Sequence, residues 1–138
     1  MQTKTTSPEE TRVLGATLAG ESTEGMVYGL IGDLGSGKTE FVRGFVAALS
    51  SDAVVRSPSF SLVNTYETDT FTIHHFDFYR LVDISELFEI GFTEYLAGNA
   101  VCLIEWADRF FEALPEGTKY IRFFEESETV RNIEIESI

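Results

Sequence analysis

The chain has 138 residues, of which 43% are hydrophobic, 13% aromatic and 24% charged. We expect one domain with a single core over residues 1–138, because the chain is too short for a nucleotide-binding domain plus a separate substrate domain. The 23 acidic and 10 basic side chains give a formal net charge of −13, which disfavours direct binding of nucleic acid or anionic lipid.

The chain shows no sequence signal for a disulfide, a leader or a membrane span. Its single cysteine, Cys102, lies in an apolar run and is interpreted as a core residue. Residues 1–13 have no apolar segment, and no apolar stretch approaches the roughly 20 residues that a membrane span needs. We therefore expect a cytoplasmic protein that does not bind membranes.

The first predicted element is a helix that begins at Ser7-Pro8. Ser7 can accept a hydrogen bond from the N–H three residues later, Pro8 suits the first helical position, and Glu10 would complete a capping box. Helical spacing then predicts a buried face made of Val13, Leu14 and Leu18.

Residues 26–31 form an apolar run that predicts a strand buried on both faces. This strand leads directly into Gly32. A second helix is predicted after the glycines, because apolar residues recur at helical spacing until residues 50–52. These residues are Phe41, Val42, Phe45, Val46 and Leu49.

The segment after Ser57-Pro58 predicts an antiparallel hairpin beside a parallel core. One strand should run through about Tyr66 and the second through about Asp77, with a turn near Thr68-Asp69. Short helical segments broken at Gly91 are predicted in residues 84–98.

The C-terminal part predicts three further strands and one short helix. Residues 100–104 form the second fully apolar strand, which ends on Glu105-Trp106, and the helix should end before Pro115. Alternating strands follow in residues 119–126 and 129–138. Strands that alternate with helices predict an α/β fold with a mixed central sheet flanked by helices.

Gly32, Gly37, Lys38 and Thr39 satisfy the pattern G-x-x-x-x-G-K-[ST] of a phosphate-binding loop, the P-loop. Glycines at positions 32, 35 and 37 permit unusual backbone angles and leave room for phosphate. The following helix would direct its first N–H groups and its dipole at an anion. Lys38 would contact the β- and γ-phosphates, and the hydroxyl of Thr39 would bind Mg²⁺.

A P-loop NTPase also needs carboxylates near the phosphates, usually at the end of an apolar strand. Asp77 and Glu105 are the two candidates, because each follows such a strand. His74 and His75 should face opposite sides of a sheet, which argues against a shared metal. Trp106, beside Glu105, is a candidate reporter of nucleotide binding.

Three arginines near these motifs are candidate contacts for phosphate or a partner: Arg43, Arg80 and Arg109. The glycine spacing does not fit the dinucleotide-binding pattern G-x-G-x-x-G. The chain also lacks the N-K-x-D motif of guanine-nucleotide switches and is short for a nucleotide kinase. The residues alone thus indicate a small P-loop ATPase or ATP sensor.

Five blocks together resemble the bacterial TsaE (YjeE) family, the ATPase of tRNA threonylcarbamoyladenosine synthesis. They are GDLGSGKTEFVRGF, SPSFSLVNTY, HHFDFYRL, ELFEIGFTEYL and LIEW, and they span about residues 7–110 in the family's order and spacing. The resemblance implies a single-domain P-loop NTPase.

The resemblance also implies roles for individual residues. The P-loop would hold ATP through Asp33, Gly35, Ser36, Gly37, Lys38, Thr39 and Glu40. Asp77 matches the family's aspartate near the γ-phosphate, and Glu105 its glutamate on the Mg²⁺ side. Ser57-Pro58-Ser59 resembles the first switch segment. Residues 6–10, with Pro8, would lie near the adenine.

Three positions depart from the family pattern. Ser59 replaces a usual threonine, and Ala107 replaces a usual proline after Glu-Trp, which would leave the backbone less rigid there. Glu40 stands where Thr or Ser is common and adds a negative charge that would act against nucleotide binding.

In the family, the ATPase docks on a TsaD–TsaB complex that modifies the adenosine beside the anticodon, and hydrolysis accompanies repeated turnover. The resemblance therefore implies an ATP hydrolase with weak activity alone, which contacts tRNA indirectly through its partners. The net charge of −13 agrees with that arrangement. The alternative is a nucleotide-gated interaction module in which hydrolysis is incidental.

Overall fold

The structure, a computed structural model, describes residues 1–50, 52–58 and 60–136. Its strands are β1 (Gln2–Thr5), β2 (Val27–Ile31), β3 (Val63–Tyr66), β4 (Ile73–Asp77), β5 (Val101–Glu105), β6 (Lys119–Glu125) and β7 (Arg131–Ile135). Its helices are α1 (Pro8–Glu21), α2 (Lys38–Leu49), α3 (Ser85–Glu89), α4 (Phe92–Ala97) and a 3₁₀ helix at Ala107–Ala113. No helix in these three ranges is long and apolar enough to cross a membrane.

The strands form one mixed sheet in the order β1-β7-β6-β2-β5-β4-β3. Its centre is parallel, because β2 pairs in parallel with both β5 and β6, and β4 pairs in parallel with β5. The outer pairs β3–β4, β6–β7 and β1–β7 are antiparallel. The predicted α/β fold, with a hairpin beside a parallel core, is confirmed. The carboxyl ends of β2, β4 and β5 therefore meet at one edge of the sheet.

Two apolar cores cover the two faces of the sheet. Tyr28 and Leu30 of β2 pack in the core on the α1 and α2 side, whereas Val27 packs on the α3 and α4 side. This alternation is the period of two expected for a strand. All five residues of β5 are buried, as predicted from its continuous apolar run.

The structure differs from the sequence prediction at the N-terminus. Strand β1 was not predicted, because its short polar sequence has no strand pattern and its place depends on pairing with β7. Val13 is 64% exposed, so its predicted place on the buried face of α1 is wrong. The buried face instead contains Thr11, Gly15, Leu18 and Ala19.

The predicted start of α1 is confirmed, with one change in the capping box. Ser7 Oγ accepts from the Glu10 N–H at 3.1 Å, and Pro8 is the first helical residue. The Glu10 carboxylate accepts from the Thr6 N–H at 2.7 Å, one residue earlier than the box predicts. The hydrogen bonds that the Thr6 N–H and hydroxyl donate to this carboxylate lower the pKa of Glu10. The bonds among Thr6, Ser7 and Glu10 fix the chain just before α1.

Helices α1 and α2 are in backbone contact at two glycines. A Cβ atom at Gly44 would lie 1.9 Å from the carbonyl oxygen of Arg12, and one at Gly15 would lie 2.1 Å from the carbonyl oxygen of Phe41. A methyl group at either position therefore requires the two helices to separate. This close approach explains why the predicted apolar face of α1 was wrong at Val13.

We predict that Gly44→Ala lowers the free energy of unfolding by about 3 kcal/mol, because overpacking against a backbone carbonyl has no flexible neighbour to relieve it. Gly20→Ala is the matched control, since a Cβ there would meet nothing within 4 Å. That change should raise stability by about 0.5 kcal/mol through the lost entropy of the unfolded chain. Urea denaturation of both variants measures the difference, and equal midpoints would contradict the close packing.

Candidate functional site

The predicted P-loop lies between β2 and α2, as its motif requires. Gly35 and Gly37 have φ angles of +77° and +108°, a region that favours glycine. Helix α2 begins at Lys38, and the first N–H groups of a helix have no preceding carbonyl to bond. These groups and the helix dipole make the turn suitable for an anion.

The P-loop forms the floor of a cleft of about 500 Å³. Three other parts of the chain contribute walls: the start of α1, the carboxyl ends of β4 and β5, and the turn between β6 and β7. Of the predicted nucleotide contacts, the lining residues are Pro8, Gly35, Ser36, Gly37, Lys38, Thr39 and Glu40. Asp33 lies at the exposed outer side of the loop, where its carbonyl accepts from the Ser36 N–H at 3.1 Å.

Lys38 is 4% exposed and lies across the P-loop. Its ammonium group donates to the carbonyl oxygens of Gly32 and, at 2.9 Å, of Asp33. The same group lies 4.4 Å from the centre of the Trp106 ring. Burial lowers the pKa of Lys38, and the negative charges of Glu105 and Asp77 oppose that shift. A cation is thus held beside the place where an anion would bind.

Asp77 and Glu105 come together at the carboxyl edge of the sheet. They are paired in register on β4 and β5, and they are 4% and 3% exposed. Asp77 accepts from the Ser57 hydroxyl at 3.2 Å and from the Tyr79 N–H at 2.9 Å. The structure therefore brings both predicted carboxylates to one side of the P-loop.

Glu105 connects the sheet edge to the P-loop helix. The Thr39 hydroxyl donates to both of its carboxylate oxygens, at 3.0 Å to Oε1 and 3.2 Å to Oε2. A hydroxyl beside a carboxylate is a pair of hard oxygen donors that suits Mg²⁺. The two residues that the sequence assigned to a metal thus lie within hydrogen-bonding distance of each other.

His75 is a neighbour of the site that the sequence prediction missed. Its Nε2 lies 2.6 Å from Glu105 Oε2, and its side chain is fully buried. His74 contacts different partners, Thr65 and Tyr95, as expected for adjacent strand residues on opposite faces. The alternation of side chains along β4 carries a signal for this contact. His75 and Asp77 lie two residues apart, so they face the same side of the sheet, and Asp77 is paired in register with Glu105.

The negative charge of Glu40 is offset by two arginines. Its carboxylate pairs with Arg12 of α1 and, at 2.6 Å, with Arg43 one turn along α2. These partly exposed ion pairs add little stability. They do place two positive charges beside Glu40, the acidic residue that stands where the family usually has Thr or Ser. Sequence reasoning did not foresee Arg12 here, because it is 28 residues away from Glu40 in the chain.

Arg131 is a second cation that sequence reasoning missed. It extends from β7 to the P-loop, where Nη2 donates to the Gly35 carbonyl at 2.9 Å, and its Nη1 donates to the Ser127 carbonyl at 2.7 Å. Its side chain is only 14% exposed and lines the cleft. A single arginine in an alternating strand carries no signal for this contact, which joins residues 96 positions apart.

The three predicted arginines have different surroundings. Arg80 lines the cleft, and its guanidinium lies 4.3 Å from the centre of the exposed Phe60 ring. Arg43 pairs with Glu40, and Arg109 donates to the Leu81 carbonyl at 2.7 Å. Arg80 is therefore the one of these three that lies in the cleft.

The remaining predicted residues surround the carboxylates. Trp106 has a left-handed φ of 58° and packs 4.9 Å from the Tyr79 ring, so it lies between an aromatic side chain and Lys38. Ser57 lies beside Asp77, whereas Ser59 of the predicted switch segment lies outside the described residues.

Comparison with known proteins shows which proteins this chain is similar to. A family model described as "Threonylcarbamoyl adenosine biosynthesis protein TsaE" matches residues 5–133. The tRNA threonylcarbamoyladenosine biosynthesis protein TsaE of Bacillus subtilis is 40% identical over 113 residues, which cover 82% of this chain and 70% of that protein. The TsaE protein of Haemophilus influenzae is 39% identical over 110 residues, which cover 80% and 68%.

A solved structure extends the likeness to the whole fold. The crystal structure of YdiB from Bacillus subtilis superposes with a TM-score of 0.86 at 31% identity, and the match covers 100% of this chain and 85% of that chain. The family match spans the P-loop, both carboxylates, Trp106 and Arg131. The chain therefore belongs to the TsaE family of threonylcarbamoyl adenosine biosynthesis proteins.

Proposed function

We propose that this protein is a Mg²⁺-dependent ATPase that acts in tRNA threonylcarbamoyladenosine modification, at the adenosine adjacent to the anticodon. One observation carries the proposal: Lys38, Thr39, Asp77 and Glu105 converge on a single cleft above a P-loop. Family membership supplies the pathway, and the chemistry of these four groups supports ATP as the ligand and hydrolysis as the reaction.

ATP would lie with its phosphates on the P-loop. The N–H groups at the start of α2 would bind phosphate oxygens, and Lys38 would exchange the carbonyls of Gly32 and Asp33 for the β- and γ-phosphates. The adenine would lie towards Pro8 at the start of α1, which forms the adjoining wall of the cleft. Arg12 and Arg43 would keep Glu40 from repelling the phosphates.

Thr39 and Glu105 would hold Mg²⁺, because their oxygens already lie 3.0 Å apart at the edge of the P-loop. A bound Mg²⁺ would supply charge neutralisation at the phosphate oxygens. Asp77 lies next to Glu105, and the hydrogen bond from the Tyr79 N–H orients the Asp77 carboxylate. Asp77 is therefore suited to accept a hydrogen bond from the attacking water.

The partner of this ATPase would be the TsaD–TsaB complex. The net charge of −13 supports an indirect contact with tRNA through these partners, because a chain of this charge repels a polyanion. Hydrolysis would reset the complex between rounds of modification. This work on tRNA would take place in the cytoplasm.

The test is ATP hydrolysis with and without purified TsaD–TsaB complex, in Mg²⁺ and in EDTA. We expect slow hydrolysis by the protein alone, a several-fold increase with the complex, and none in EDTA. Pull-down with and without ATP establishes that the complex is bound. An unchanged rate with a bound complex contradicts the resetting role, and no hydrolysis under either condition contradicts the ATPase.

A further inference from the structure

We propose that His75 is a positioning residue that holds Glu105 in the orientation needed for the metal and nucleotide cleft. This inference rests on the proposed function and adds a residue to its machinery. The observation behind it is a chain of hydrogen bonds that runs from buried His75 through Glu105 to Thr39. His75, Glu105 and Thr39 are far apart in sequence, so their hydrogen bonds depend on the fold.

The surroundings of His75 determine which ring nitrogen carries the proton. Its Nδ1 is buried and has no hydrogen-bond partner among the described residues. A proton on Nδ1 would leave a buried N–H without an acceptor, which is unfavourable. The proton therefore lies on Nε2, which donates to Glu105 Oε2 across 2.6 Å. His75 therefore acts as a hydrogen-bond donor to Glu105.

This bond distinguishes the two oxygens of the Glu105 carboxylate. Oε2 is occupied by His75, whereas Oε1 is the oxygen nearer to the Thr39 hydroxyl, at 3.0 Å against 3.2 Å. A free glutamate side chain loses rotamer entropy when it is fixed, which opposes binding of a ligand. Because His75 fixes Glu105 before any ligand binds, Oε1 is presented to the cleft without that cost.

The simpler alternative is that His75 only fills space in the core. Its ring lies 6.3 Å from the Tyr66 ring, and Ile73 on the same face of β4 is also fully buried. A residue that only fills space should be replaceable by leucine. A positioning residue should instead be replaceable by glutamine, whose amide nitrogen reaches about as far as Nε2 and can donate.

The experiment compares His75→Leu with His75→Gln. We expect His75→Leu to lower the rate of ATP hydrolysis and the affinity for Mn²⁺ about 10–100-fold, the usual effect of losing a partner of a metal ligand. Mn²⁺ affinity is measured by electron paramagnetic resonance with a non-hydrolysable ATP analogue bound. His75→Gln should recover most of both losses, and thermal unfolding reports whether each variant is folded.

Nuclear magnetic resonance provides a readout that needs no ligand. The chain has 2 histidines, so ¹⁵N shifts of the wild-type protein are readily assigned. We expect the Nε2–H tautomer for His75, and we expect Glu105→Gln to shift the His75 signals and leave those of His74 unchanged. A different tautomer of His75, or ¹⁵N shifts of His75 that are the same in the wild type and in Glu105→Gln, would overturn the proposal.

The remaining outcomes are also decisive. If folded His75→Leu binds Mn²⁺ as well as the wild type, or if folded His75→Gln is no better than His75→Leu, His75 does not position Glu105 by a hydrogen bond. A wild-type protein that hydrolyses no ATP contradicts the proposed function alone, because the tautomer and the metal affinities still test His75.

Discussion

Lys38→Ala is expected to weaken ATP binding about 100-fold or more, because truncating one partner of a buried charge pair typically costs 2–5 kcal/mol. Lys38 is the buried cation of the P-loop, and its ammonium group is 2.9 Å from the Asp33 carbonyl on the rim of the loop. Without it, Asp77 and Glu105 would face the phosphates with no ammonium between them. Isothermal titration calorimetry with a non-hydrolysable ATP analogue measures the loss.

The position of Trp106 affects how this variant is assayed. Because the Lys38 ammonium lies 4.4 Å from the centre of the indole ring, removing it is expected to change the fluorescence before any nucleotide is added. The size of the change during titration, rather than the starting intensity, therefore reports binding. An affinity equal to that of the wild type would contradict the assignment of Lys38 to the phosphates.

Two other variants serve as controls for Lys38→Ala. Lys119→Ala removes a lysine at the start of β6, and Lys119 does not line the cleft, so nucleotide affinity should stay unchanged. Lys38→Met keeps much of the side-chain volume without the charge, and it should bind ATP as weakly as Lys38→Ala. Recovery of binding by methionine would show that packing, and not charge, explains the loss.

The parts of the structure that could be predicted are those marked by patterns in short stretches of the sequence. The apolar runs at β2 and β5, the glycines of the P-loop and the alternating hairpin each follow from residues that are near one another in sequence. The meeting of Asp77 and Glu105 also follows, because the carboxyl ends of parallel strands share one edge of a sheet.

The parts that were missed depend on residues distant in sequence. Arg131 reaches Gly35 only because β7 pairs beside β6, and no local pattern marks that arginine. The Arg12 pair with Glu40 requires the backbone contact of α1 with α2. Strand β1 is a polar edge strand that owes its conformation to pairing. Tertiary contacts, rather than propensity, decide each of these cases.

Glu105→Gln is expected to lower the rate of ATP hydrolysis about 10²–10⁴-fold and to weaken the binding of Mg²⁺, because it removes the carboxylate proposed to hold a metal ion whose charge stabilisation is worth several kcal/mol. The amide can keep the local hydrogen bonds, because its oxygen can accept from His75 and its NH₂ group can donate to the Thr39 hydroxyl. The fold should thus be retained and the negative charge lost. Single-turnover and steady-state hydrolysis measurements in Mg²⁺ check this prediction.

Asp77→Asn is the companion variant. Together, Glu105→Gln and Asp77→Asn test whether ATP hydrolysis is needed for repeated tRNA modification. Its amide oxygen can still accept from the Tyr79 N–H, so the sheet edge should remain intact. If either variant binds ATP and the TsaD–TsaB complex but supports only one round of tRNA modification, hydrolysis resets the complex. If both variants hydrolyse no ATP yet support repeated modification at the wild-type rate, the protein is a nucleotide-gated interaction module. In that case the buried carboxylates would serve to bind the nucleotide and its metal, and not to cleave it.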